Sequence, residues 1–87
     1  MRVEVKKFAE MMELKLRRHD RKRGPAGWKD EEPLWLLARL KEEVAELEKA
    51  VVAGSTGILV RHEAADVGNF AMMITDVYRW DADEQEE

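Results

Sequence analysis

The segment Pro33-Leu34-Trp35-Leu36-Leu37-Ala38-Arg39-Leu40-Lys41-Glu42-Glu43-Val44-Ala45-Glu46-Leu47-Glu48-Lys49-Ala50-Val51-Val52-Ala53 decides the fold. Leu36, Leu37, Leu40, Val44, Leu47 and Val51 make the buried stripe, stepping by three or four residues from the adjacent Leu36 and Leu37 onward. Pro33 belongs in a first turn, where its missing N–H leaves nothing unpaired, and Asp30, Glu31 and Glu32 suit the positive end of a helix dipole. Gly54 is a natural C-terminal stop. The pattern predicts one helix over 33–53.

Downstream, Ser55 or Thr56 can cap a further helix that runs to about Tyr78, with Leu59, Val67, Phe70, Met73, Ile74 and Val77 on one face. The connection is short, so the two helices are expected to form an antiparallel hairpin. Upstream, Val5, Phe8, Met12 and Leu16 mark a helix from about Val3 to about Arg18. The segment from His19 to Glu32 contains Gly24, Pro25 and Gly27 and reads as a long connection, a place where function often sits. The fold class is therefore all-α, a three-helix chain with an antiparallel hairpin. One domain is expected over 1–80, followed by an acidic disordered tail over 81–87.

An 87-residue chain holds one domain and buries only a modest fraction of its surface. Three helices of this size leave one side of the hairpin uncovered. A homodimer or homotetramer is expected to complete a four-helix-bundle-like arrangement through closed, symmetric interfaces. The absence of cysteine removes disulfides, zinc–thiolate sites and thiol nucleophiles, and it suits a cytoplasmic location. No apolar run has membrane-spanning length, and no signal peptide is apparent. The net charge of −4 argues against nucleic acid as a partner, since counterion release needs a broad basic surface. Arg17, Arg18, Arg21, Lys22 and Arg23 still form a compact basic cluster, sufficient for a triphosphate but also explained as a solvated helix end.

The chemistry lies in two acidic pairs. Glu43 and Glu46 are three apart on the second helix, as are Glu63 and Asp66 on the third, so each pair shares a side of its helix. On a helical wheel Glu43 and Glu46 flank the apolar stripe, whereas Glu63 and Asp66 fall inside the stripe of Leu59, Phe70, Met73, Ile74 and Val77. Two carboxylates one turn apart on an apolar face repel each other and resist desolvation. A buried Arg or Lys would relieve this, but neither hairpin helix offers one on its inner face. The remaining alternatives are a solvated cleft or a divalent cation held by oxygens from both helices.

The order Glu42-Glu43-x-x-Glu46, residues 47–62, then Glu63-x-x-Asp66 resembles the signature of the MazG-like all-α nucleoside triphosphate pyrophosphohydrolases, the superfamily that also holds the dimeric dUTPases and dCTPases. The segment from His19 to Asp30 is more loosely similar to small phage-type MazG proteins, including the MazZ-like dATP/dGTP diphosphohydrolases. The resemblance implies hydrolysis of a nucleoside triphosphate, a dNTP or a non-canonical nucleotide, to monophosphate and pyrophosphate with Mg²⁺ or Mn²⁺. It implies Glu43, Glu46, Glu63 and Asp66 as metal ligands, with Glu42 supporting a further metal or the attacking water and Glu43 sharing that catalytic role. Asn69 matches a polar residue near the metal–phosphate site. In the mechanism that follows, Arg18, Arg21, Arg23 and Lys29 would hold the outer phosphates and Trp28 would stack on or cover the base. A non-enzymatic helical interaction module is the alternative. In that reading Trp28, Trp35 and Trp80 pack against a core or subunit boundary, His19 and His62 are stripe-edge residues, and Met11, Met12, Met72 and Met73 are core fillers.

Overall fold

The computed structural model of the chain describes residues 1–25 and 27–78. The acidic tail and Trp80 lie outside the described residues. Three helices form, α1 (Val3–Arg23), α2 (Pro33–Val52) and α3 (Gly57–Val77), with a short 3-10 turn (Gly27–Asp30) between the first two. Among the described residues there is no strand, and no helix is long and apolar enough to cross a membrane. The all-α class and the hairpin are as expected.

The α2–α3 turn follows from three residues. Gly54 takes a left-handed φ of 66°, the Ser55 N–H donates to the Ala50 carbonyl at 3.0 Å, and the Gly54 N–H donates to the Val51 carbonyl at 3.1 Å. This is the Schellman ending that glycine permits. Thr56 then caps α3, its hydroxyl accepting from the Leu59 N–H at 3.3 Å. Pro33 opens α2 as anticipated.

Helix α1 continues through Arg23 rather than ending near Arg18. Nothing in residues 19–23 breaks a helix, and lysine and arginine are good helix formers that also favour a C-terminal turn. The chain turns only at Gly24, whose φ is 84° and whose N–H reaches the Asp20 carbonyl at 2.8 Å. The extension matters because it carries a further turn of basic residues along the molecule.

Helix α3 is central, packing on α2 along one side and on α1 along another, with the 3-10 turn against it as well. Ala65, Asn69 and Met73, each four residues apart, are its buried line. Gly68 lets α1 approach, since a Cβ there would sit 2.8 Å from the Phe8 ring. On α2 the buried positions are Leu36 and Ala50, with half-buried Glu43 between them at seven-residue spacing. The burial is rotated from the expected stripe. Val44 and Val51 remain 47% and 57% exposed, and Leu37 is exposed as well. The apolar stripe of α2 is wider than one partner helix can cover, so α3 takes one edge and leaves the other open. The radius of gyration is 14.2 Å, against about 12 Å for a compact chain of this length.

Leu36 is the largest fully buried side chain. Leu36→Ala is expected to lower unfolding free energy by about 3 kcal/mol, through lost burial and the cavity left behind. Urea denaturation followed by circular dichroism measures it.

Candidate functional site

Glu43 takes its place in the α2 seam because residues 36, 43 and 50 share one line, and that line faces α3. Opposite it, Glu63 and Asp66 are half-buried on adjacent turns of α3. One carboxylate oxygen from each of Glu43, Glu63 and Asp66 lies within 4.8 Å of the other two. Oxygens on opposite sides of a divalent cation stand about 4.2 Å apart for Mg²⁺ and about 5 Å for Ca²⁺, so the donor chemistry suits a hard cation, while closing on Mg²⁺ would require the carboxylates to draw in by a few tenths of an ångström.

Burial pushes the Glu43 carboxyl above its ordinary range, and the nearby Asp66, Glu63 and Glu46 charges raise it further while Arg39 opposes them. Two protein cations offset the cluster. Arg39, four residues before Glu43, donates to it at 3.1 Å, also pairs with Glu42, and lies over the Phe70 ring at 5.1 Å. Lys15 reaches across from α1 to Asp66 at 3.3 Å. The sequence reading sought a base for Glu63 and Asp66 only on the hairpin helices; Lys15 comes to Asp66 from α1, and Arg39 serves Glu43 with its guanidinium over an aromatic ring.

Glu43 and Asp66 open onto a cleft of about 530 Å³ between α1, the 3-10 turn and the hairpin. Glu43, Asp66 and Asn69 line it on the hairpin side, Trp28 and Trp35 supply aromatic surface, and Lys15, His19 and Lys22 line it from α1. At 100° per residue these last three fall within about 60° of one another, a single basic edge. Asn69 is 4% exposed, and its amide donates to the Met12 carbonyl at 3.1 Å, which leaves Oδ1 without a hydrogen-bond partner.

Several expected site residues are placed elsewhere. Glu46 is exposed, pairs with Lys49 at 3.4 Å, and stands outside the three-carboxylate group, because α2 turns Glu43 and not Glu46 to α3. Glu42 is exposed beside Arg39. Arg18 and Arg21 are exposed and do not line the cleft; once α1 continues, Arg21 points about 120° away from Lys15. Arg23 closes the helix. Trp28 does line the cleft, but its indole N–H donates to Asp76 at 3.0 Å, and Lys29 also holds Asp76, at 2.7 Å. Lys22 belonged to the basic cluster seen in the sequence, whereas Lys15 and Arg39 were not singled out by the sequence pattern. The signal was the i, i+4, i+7 spacing of residues 15, 19 and 22, visible only if α1 is carried past Arg18.

A search against family models, curated proteins and solved structures found no match.

Because its folded-state carboxyl titrates above the unfolded value, ionised Glu43 opposes folding. The stability it contributes is present below the unfolded value of 4.5 and lost as pH rises through the raised one. Glu43→Gln is accordingly expected to melt at a higher temperature than the parent at pH 7. The advantage should vanish below about pH 4, where both side chains are neutral; scanning calorimetry across pH 3.5–8 reads the difference.

Proposed function

We propose that the chain is a metal-dependent nucleoside triphosphate pyrophosphohydrolase of the MazG-like all-α kind. The observation that carries this reading is the convergence of Glu43, Glu63 and Asp66 from two helices on one small volume, with Glu43 and Asp66 lining a cleft that Lys15, His19 and Lys22 also line. Acids alone would repel a triphosphate, and bases alone would not explain three carboxylates crowded together on half-buried faces. A phosphate chain neutralised by a cation needs both.

Glu43, Glu63 and Asp66 would hold a Mg²⁺ or Mn²⁺, which when bound would supply charge neutralisation and a more acidic water. Lys15, Lys22 and Arg39 take the phosphate oxygens, and Trp28 and Trp35 offer aromatic surface to the base. The water attacks the α-phosphorus, the bond to the β-phosphate oxygen breaks, and pyrophosphate leaves. The proton lost by the water is released to solvent, and Glu43 acts as a holder of the cation.

Assembly belongs to the same reading. The uncovered edge of α2, Leu37, Val44 and Val51, repeats every seven residues, the period that helical partners use. A second copy of the chain is the proposed occupant, giving a homodimer or a pair of dimers. Light scattering is expected to return at least twice the 10.1 kDa of one chain at micromolar concentration, and Val44→Glu should reduce that mass.

Asp66→Asn and Glu43→Gln are each expected to cut Mg²⁺-dependent pyrophosphate release from a panel of (d)NTPs by at least ~100-fold, with helical content unchanged. Turnover retained in both variants overturns the proposal. A helical interaction module expects instead no release from any nucleotide and no cation-linked rise in melting temperature.

A further inference from the structure

Of the carboxylates lining the cleft, Glu31, Glu43 and Asp66, Lys15 pairs with Asp66. Its ammonium sits 3.3 Å from Asp66 Oδ2, and its side chain is 23% exposed, so the contact is neither a buried permanent pair nor a solvated surface one. Asp66 is one of the three converging carboxylates, and Lys15 therefore stands where a cation bound by those oxygens would have to compete with it. Its neighbours along the same edge, His19 and Lys22, face the same cleft. Lysine is suited to such a role, being a compact charge on a flexible stem that can change anions without rebuilding a forked geometry.

We infer that Lys15 is an exchange cation. It neutralises Asp66 while the three-carboxylate group is empty, gives up that oxygen when a divalent cation enters, and passes to a phosphate oxygen of the incoming nucleotide. This rests on the reading of the cleft as a metal-dependent triphosphate site and deepens it, since it couples metal entry to phosphate capture through one side chain. Two charge states of the group follow. Without metal, Glu43, Glu63 and Asp66 are offset by Arg39 and Lys15. With metal bound, Lys15 is released from Asp66 and remains a mobile positive charge lining the cleft the nucleotide would enter. Asn69, buried beside this group with an unpartnered Oδ1, is independent of the exchange and adds an unsatisfied acceptor to the same wall.

The test compares the full-length parent, Lys15→Met, Lys15→Arg, Lys22→Met and Asp66→Asn. Mn²⁺ alone is titrated by electron paramagnetic resonance. A non-hydrolysable α,β-imido deoxynucleoside triphosphate is then titrated calorimetrically in excess Mg²⁺. Lys15→Met is expected to bind Mn²⁺ about threefold more tightly, the size of a part-exposed ion pair, and to bind the analogue at least about threefold more weakly. Lys22→Met, in the same cleft but outside the ion pair, is expected to weaken the analogue while leaving Mn²⁺ affinity within about twofold. Lys15→Arg should restore the analogue. Equal tightening of Mn²⁺ in Lys15→Met and Lys22→Met means a general field and overturns the exchange. So does unchanged or weaker Mn²⁺ binding in Lys15→Met when the parent binds Mn²⁺ and Asp66→Asn does not; in that case the metal site stands. No Mn²⁺ binding by the parent overturns the metal reading and the exchange together.

Discussion

The structure depends on the placement of like charges where a small helical protein would ordinarily put leucine. Glu43 interrupts the line between Leu36 and Ala50, and Glu63 and Asp66 face it from α3. Such a cluster persists only if its charge is answered, and the answers come from distinct parts of the chain: Arg39 from the same helix as Glu43, and Lys15 from α1. Helix α1 thus has an electrostatic reason to pack on α3 as well as the apolar one given by Phe8 against Gly68. Site and fold share the same side chains, so the acids that weaken the hairpin also recruit the third helix to it.

This sharing explains why the hydrophobic core is thin. Among the described residues Leu36, Ala50, Ala65 and Met73 are the buried apolar side chains, and Asn69 is buried among them. A chain of this size has few positions to spend on an interior. Here several face the cleft, and others lie on the uncovered edge of α2. The remaining stability has to come from helix propensity, good ends such as the Gly54 turn and the Thr56 cap, and whatever covers Leu37, Val44 and Val51.

Much of this was legible in the residues. Periodicity together with Pro33, Gly54 and a cap at Ser55 or Thr56 set the limits of α2 and α3 to within a residue or two. The pairing of Glu63 with Asp66 on an inner face was also visible, since spacing and stripe coincide. Two things were not. The wheel of α2 carries an apolar stripe broad enough to face either of two directions, and sequence does not say which edge meets α3; this decides whether Glu43 or Glu46 turns inward. The end of α1 was hidden because His19 and Asp20 are weak helix formers, whereas packing and the basic residues after them carry the helix on to Gly24. With that end misplaced, the basic edge of Lys15, His19 and Lys22 could not be seen as one row.

The clasp between the 3-10 turn and Asp76 has an architectural corollary. Trp28 and Lys29 grip a carboxylate ten residues along α3 from Asp66, about 15 Å up the helix. The wall bearing the tryptophan is thereby fastened at a remove from the triple-acid hub. Such a division lets the recess be widened or narrowed by editing a handful of positions in the 3-10 turn, with the spacing of the three carboxylates untouched. The shape of the recess and the grouping of the acids become separately adjustable in a chain of fewer than ninety residues.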